Sequence, residues 1–402
     1  MSPTPFWRRP VFVLFAAALI VFSAFGIRQS MGLYMRPISD GMSWGREVLS
    51  FALATQNLLI GLTAPFFGAL ADKWGPSKTL ALGGALFACG IFTMSQATTP
   101  GMMFTGAGVM AGIGLGACGM PLVLATVSKV APAEKRGTWV GFTTAFATGG
   151  QLLVVPASQS IIAEVDWVTA LLFLSVMAAM IVPMALSTSG AITKETGKDT
   201  NINIREALSE AWQHNGFRLL TVGFFVCGFH VAFLAVHLPA YIHDRCSVPG
   251  LGATALMLIA FFNMIGAWSS GWLGGRYSKK YLLSGIYAAR AVVMTAFVVI
   301  PTTPTTVVVF ACLIGLLWLS TVPATSGLVS QIFGLRYMGM LYGIVFLSHQ
   351  LGAFMGVWLG GRVFDAAGSY DAVWWVAIAL GVTSALIHLP INEKPVARLA
   401  TS

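Results

Sequence analysis

Apolar windows long enough to cross a lipid bilayer recur twelve times along this sequence. They fall at about 11–35, 47–71, 79–97, 102–128, 138–161, 166–187, 217–242, 252–275, 281–301, 304–328, 338–362 and 370–390. A hydrocarbon core about 30 Å thick is crossed by roughly 20 residues of α-helix, so each window suffices for one crossing. Inside lipid every backbone N–H and C=O must find its partner within the protein, which admits only closed barrels and helices, and windows of this length read as helices. Only 9% of the 402 residues are charged, against roughly 25% in a soluble domain, so a cytosolic enzyme is excluded. The expected fold is an all-α membrane protein of twelve transmembrane helices. The first run, Val11 to about Gly26, follows Trp7-Arg8-Arg9-Pro10 and carries no A-x-A cleavage site, so it reads as a retained span and not a signal peptide. Its outer end is expected near Tyr34 to Pro37.

One long polar interruption, Ser187 to Gly216, contains Lys194, Lys198 and the amphipathic Ile204-Arg205-Glu206-Ala207-Leu208. It sorts the chain into a six-helix bundle over 1–187, a cytoplasmic linker over 188–216 and a second six-helix bundle over 217–402. With the N-terminus placed in the cytoplasm, the cytoplasmic segments hold 17 of the 23 Lys and Arg, the opposite side holds four (Arg36, Arg46, Arg245, Arg362), and two lie within spans. That asymmetry sets both termini on the cytoplasmic side of an inner membrane. It also accounts for the formal charge of +9 as a topology signal, so nucleic-acid binding is not invoked. The five cysteines, Cys89, Cys118, Cys227, Cys246 and Cys312, show no paired spacing and read as small buried hydrophobes.

The two halves repeat. Gly68-Ala69-Leu70-Ala71-Asp72-Lys73-Trp74-Gly75-Pro76-Ser77-Lys78 follows span two, and Gly271-Trp272-Leu273-Gly274-Gly275-Arg276-Tyr277-Ser278-Lys279-Lys280 follows span eight, 203 residues later. Duplicated halves of this kind are a known build of secondary transporters. The first copy resembles the G-x-x-x-D-[RK]-x-G-[RK]-[RK] loop of the major facilitator superfamily; the second has Gly275 in place of the Asp. The resemblance implies two pseudo-symmetric six-helix bundles and a cytoplasmic latch made here by Asp72, Lys73 and Arg136. Three further stretches are similar to the monocarboxylate porter and oxalate:formate exchanger branch. They are Ser39-Asp40-Gly41-Met42-Ser43-Trp44-Gly45, the glycine-rich Gly112 to Pro121, and Lys135-Arg136-Gly137 with Gly141, Ala145, Gly149 and Gly150. Relatives in that branch commonly hold a carboxylate with an Arg in span eight. This chain has none between Leu256 and Trp272, where Asn263 is the strongest mid-span polar residue, so the anion partner must come from elsewhere.

Ionisable side chains deep in a membrane cost several kcal/mol and are functional candidates by default. The candidates are Arg28, Arg290, His230, His237 and His349; all fourteen Asp and Glu fall in loops or at span ends. An interior with cations and no carboxylates is complementary to an anion. Arg28 lies roughly 27 Å along span one from Pro10 at 1.5 Å per residue, and its fork suits a carboxylate; the alternative is a side chain snorkelling to the headgroups. Adding the repeat offset to Arg28 gives position 231, beside His230, and the resemblance implies that spans one and seven line a central path. His230 and His237 can titrate near neutral pH and are the expected proton carriers, or else neutral helix contacts. His349 with Gln350 offers hydrogen bonds to substrate or polar glue between helices. Arg290 must turn inward or pair with backbone carbonyls, such as those at the end of a broken helix. Neutral candidates are Gln56, Asn57, Gln151, Asn263, Trp318, Ser320 and Thr321.

Gly112-x-Gly114-x-Gly116 lies in a membrane span and follows no strand, so it is not a dinucleotide loop. There is no Walker loop and no metal-spaced cluster in the sequence, and no cofactor is expected. The function expected is secondary active transport of a small organic anion, a monocarboxylate by resemblance, through alternating access with proton symport. The working unit is expected to be a monomer in the bilayer. The alternatives are a proton-driven multidrug or metabolite exporter, which the lack of buried carboxylates opposes, and a signal receptor on the same scaffold, which the short termini oppose.

Overall fold

The computed structural model describes residues 10–132, 136–187, 204–333 and 338–396. Span one is a rod in three registers: α1 (Pro10–Ser30), a 3-10 turn (Met31–Tyr34) and α2 (Met35–Met42). Together they make a 33-residue crossing, longer than the window 11–35. The end expected near Tyr34 to Pro37 is therefore corrected to Met42. Pro37 falls in the first turn of α2, where a missing N–H costs little. Span two is α3 (Arg46–Trp74), which ends at Gly75 with a positive φ of 93°, and Pro76 then opens α4 (Pro76–Ser95) as its first residue.

Span four is interrupted. It runs as α5 (Pro100–Met103), a π-helical stretch (Phe104–Met110), α6 (Ala111–Cys118) and α7 (Met120–Val130), with extended backbone at Gly119. Pro121 has no N–H for the Ala117 carbonyl four residues back, which explains the interruption there. Next come α8 (Arg136–Glu164), then α9 (Trp167–Ala179) and α10 (Ile181–Ser187) as span six, and the short α11 (Ile204–Gln213). They are followed by α12 (Asn215–Cys246), α13 (Leu251–Gly274), α14 (Lys279–Val299), α15 (Pro304–Leu317) and α16 (Thr321–Phe333), and finally by α17 (Met338–Ala367) and α18 (Asp371–His388).

Among the described residues eleven helical runs are long and apolar enough to cross a membrane. The remaining window is α8, whose 29 residues extend roughly 44 Å at 1.5 Å each and so also reach across. Its Thr143, Thr144, Thr148, Gln151 and Ser158 dilute its apolar character.

The chain divides into two compact units. One comprises Met1–Thr196 with Ala235–Ala240 and Gly252–Met257; the other comprises Gly197–Leu234, Tyr241–Leu251 and Leu258–Ser402. In the first, α1 packs along α8, and glycine lets the backbones touch. A Cβ on Gly150 would strike the Phe22 carbonyl, and one on Gly26 would strike the Gly150 carbonyl. Such close approach by small residues is how helices gain van der Waals contact in lipid. The second unit is cored by Phe217, Phe224, Tyr287, Leu328, Phe333 and Leu341, and Phe297 stacks on Phe310 with centroids 3.9 Å apart. Large apolar side chains also point outward, Leu153 64% exposed and Trp268 73% exposed, as lipid-facing surfaces require.

Of the expected latch, the side chains of Asp72 and Arg136 lie outside the described residues, and Lys73 is exposed at the end of α3.

Candidate functional site

In the first unit the polar interior is built around α1. Arg28 Nη2 donates to Asn57 Oδ1 at 2.5 Å, and Asn57 Nδ2 donates to the Leu53 carbonyl one turn earlier on α3 at 2.8 Å. A carbonyl only accepts, so that second bond fixes which way the amide points and leaves its oxygen to the guanidinium. Arg28 is half-buried, and no carboxylate of the described residues forms a salt bridge with it. Its neighbour Gln29, buried, donates to Gln151 Oε1 on α8 at 3.3 Å. Gln56 is occupied differently: its amide donates to the Ala107 carbonyl in the π-helical stretch at 2.8 Å, where a carbonyl freed by the altered register needs a donor.

Of the other candidates, all but His237 lie in the second unit. His230 on α12 is 1% exposed, with Nε2 2.7 Å from the Ala377 carbonyl on α18. Because a carbonyl accepts, Nε2 carries the proton in the neutral ring, and Nδ1 is a buried acceptor with no hydrogen-bond partner. Gly381 makes the room for this ring, since a Cβ there would come within 3.3 Å of its Cε1. His237 is also buried on α12. His349 Nδ1 lies 3.1 Å from Gln350 Oε1, and the imidazole stacks on Phe346 at 5.5 Å and 7°. The expected His-Gln pair thus exists as a mutual contact between adjacent residues of α17.

Span ten is broken between Leu317 and Thr321. Pro323 has no N–H to offer the Leu319 carbonyl, so the helix cannot run through. Four side chains answer the loose ends. Arg290 Nε and Nη2 donate to the Leu317 carbonyl at 3.1 and 2.6 Å, and Nη2 also donates to the Trp318 carbonyl. Asn263 Oδ1 accepts from the Leu319 N–H at 3.0 Å, Ser270 Oγ donates to the Ser320 carbonyl, and Ser320 Oγ donates to the Leu316 carbonyl at 2.6 Å. Arg290 therefore pairs with the carbonyls of a broken helix, the inward-turned arrangement open to a span-nine arginine. Asn263, expected to face substrate, spends its oxygen on this break. Trp318 is 2% exposed, and its indole N–H has no partner.

Sequence reasoning missed two participants. Gln29 sits next to Arg28 in an otherwise apolar helix, and a second polar residue at that depth was the available signal. Cys227, taken for a small hydrophobe, has its Sγ 3.1 Å from Thr321 Oγ1; nothing in its spacing announces that contact.

Among the described residues no Asp or Glu is buried, and no group of three or more His, Cys, Asp or Glu could hold a metal ion. Arg28 and Arg290 are thus interior cations whose hydrogen bonds go to an amide and to carbonyls, an arrangement able to bind an anion and unsuited to an organic cation.

Comparison with known proteins agrees with this architecture. The sequence profile described as Major Facilitator Superfamily matches residues 11–357. The chain is 24% identical to Monocarboxylate transporter 13 of Rattus norvegicus, over 96% of this chain and 89% of that protein. It is 23% identical to the Oxalate:formate antiporter of Oxalobacter formigenes, over 96% of this chain and 93% of that one. Among solved structures, a bacterial homologue of the human lysosomal transporter Spinster, inward-facing and occupied, superposes with a TM-score of 0.76 at 13% identity, covering 94% of this chain and 96% of that one. The apolar membrane-length helices, the lack of buried carboxylates among the described residues and the profile match meet in one conclusion: this chain is a multi-pass membrane transporter that belongs to the Major Facilitator Superfamily and resembles its monocarboxylate porter and oxalate:formate exchanger branch.

Proposed function

We propose that this transporter carries a small organic anion, a monocarboxylate, by secondary active transport with proton symport. The observation that carries the reading is Arg28: a half-buried guanidinium in the last turn of α1, inside span one, whose hydrogen-bond partner among the described residues is the neutral amide of Asn57. A carboxylate offers that fork two charged acceptors where the amide offers one neutral oxygen, so the ligand is the stronger partner. Gln29 and Gln151 stand beside it as neutral donors. In the second half His349, Gln350, Trp318 and Asn263 are assigned to the substrate path, with His230 and His237 as proton carriers.

The case for protons rests on elimination. Without buried Asp or Glu among the described residues, imidazole is the interior side-chain type whose unperturbed titration range lies nearest neutral pH. Nδ1 of His230 is a buried acceptor without a hydrogen-bond partner among the described residues. A proton moving with a monocarboxylate also cancels the charge that would otherwise cross a low-dielectric path. The same reading takes 1–187 and 217–402 as the moving halves, 188–216 as their linker, Asp72, Lys73 and Arg136 as a cytoplasmic latch, and an inner membrane with both termini cytoplasmic as the setting. Drug export by proton exchange is the competing reading, and the two interior guanidiniums oppose it.

The deciding experiment is uptake of labelled lactate, pyruvate and aromatic acids into proteoliposomes, with and without a pH gradient. Saturable uptake stimulated by an acid exterior is the expected result. Movement of lipophilic cations with none of carboxylates would overturn it.

A further inference from the structure

Arg290 is 1% exposed. Its Nε and Nη2 serve the Leu317 and Trp318 carbonyls, and its Nη1 has no hydrogen-bond partner. A cation suits the negative end of α15, so part of its role is to cap that half-helix. Capping alone does not require a full charge. At the same break Asn263 and Ser270 satisfy the Leu319 N–H and the Ser320 carbonyl as neutral groups. An ionised side chain taken out of water costs several kcal/mol unless a counter-charge meets it. Arg290 forms no salt bridge with any described carboxylate, and no Asp or Glu is buried among the described residues. The site therefore keeps an expensive charge, and one unused face of it, where neutral side chains suffice for the neighbouring loose ends.

Two further buried donors without partners are carried by residues that touch Arg290. The Tyr287 hydroxyl is carried one turn earlier on α14, its ring centroid 5.4 Å from the Arg290 guanidinium carbon. The Trp318 indole N–H belongs to the residue whose carbonyl Arg290 grips. A planar oxyanion would supply what all three lack. Oxygen acceptors would meet Nη1 and the neutral donors, and a negative charge would meet the guanidinium.

We infer that Arg290 is an anion-binding residue in its own right, taking a carboxylate at the break of span ten with Tyr287 and Trp318 as neutral donors. The inference rests on the anionic-cargo reading above and adds a second binding group for the same class of ligand.

The test uses purified full-length protein titrated with formate, lactate, pyruvate and benzoate, read by thermal shift and tryptophan fluorescence. Wild type is expected to respond saturably to at least one of them. Arg290→Gln is expected to weaken that affinity by about tenfold or more, the loss of a charge-assisted pair. Arg290→Lys keeps the charge and loses the fork, and is expected to bind several-fold more weakly; it decides the matter if the Gln variant does not fold. Ser270→Ala loosens the same break without touching charge and is expected to stay within about twofold of wild type. Wild-type affinity in both Arg290 variants would overturn this inference and leave the Arg28 reading standing. No saturable response of wild type to any of the four acids would overturn both.

Discussion

Arg28 on α1 and Asn57 on α3 are joined at 2.5 Å, and Asn57 is itself anchored to the Leu53 carbonyl at 2.8 Å. The guanidinium is thus aimed by an amide that cannot turn away. Arg28→Ala is expected to abolish saturable uptake with folding intact, and Arg28→Lys to keep part of it. Asn57→Ala removes a hydrogen bond to a charged group, about 1.5–3 kcal/mol, and is expected to raise KM about tenfold or more while kcat changes less. Initial rates in proteoliposomes, with size-exclusion profiles as the folding check, measure this. Unchanged transport by Arg28→Ala would remove Arg28 from the site.

His230 separates a proton carrier from a structural ring. Its Nε2–H to the Ala377 carbonyl can be reproduced by the amide of Gln, which has no proton to exchange near neutral pH. His230→Gln is expected to lose acid stimulation of uptake and to keep counterflow, where the loaded carrier moves in both directions. Equal loss of the two would mark the imidazole as packing between α12 and α18.

Much of this was legible in the sequence, for reasons peculiar to membranes. Lipid forbids unsatisfied backbone, so window length alone fixes the helices, and α8 is recognisable despite its threonines. Arg28 and Arg290 stood out because charge at that depth is costly. What could not be read was where each side chain finds its partner. Pro121 and Pro323 each delete one N–H, yet whether a span bends or breaks there depends on donors brought from elsewhere. At span ten these come from Arg290, Asn263 and Ser270, on two other helices. Asn263 reads as a substrate contact on polarity alone, and only its position beside the Leu319 N–H shows that its oxygen is taken and that its amide nitrogen is what it can offer a substrate. The outer end of span one is not legible because a proline in a first turn and one after a last turn look alike in sequence.

His214 occupies the N-cap position of α12, its ring edge-on to Phe333 at 5.4 Å and its Nδ1 buried without a partner. Burial pushes its pKa below the usual imidazole value of about 6.5, and the nearby Glu210 carboxylate offsets part of that shift. Folding therefore favours the neutral ring. Its contribution is fully present above about pH 6.5 and is lost as pH falls below that toward the folded value. Melting temperatures between pH 7.5 and 5 are expected to fall less steeply in His214→Asn than in wild type. Parallel slopes would show that His214 takes no part in acid sensitivity.

Glycine contacts along α1 and α8 give the sharpest packing test, because two glycines of one helix should respond oppositely. A Cβ at Gly150 would drive into the Phe22 carbonyl, whereas one at Gly141 meets nothing within 4 Å. Backbone cannot rotate aside as a side chain can, so α1 and α8 must separate to admit the methyl group. Overpacking of this kind costs about 1–3 kcal/mol. At Gly141 the same change removes only the entropy penalty of glycine in a helix, a gain of up to about 1 kcal/mol. Gly150→Ala is therefore expected to lower the melting temperature of the solubilised protein, and Gly141→Ala to leave it unchanged or raise it slightly. Transport should follow the same order, because separating α1 from α8 moves Gln29 off Gln151 and shifts the helix that carries Arg28. If Gly150→Ala melts and transports as wild type does, the two helices do not touch backbone to backbone, and the placement of Arg28 that depends on their contact fails with it.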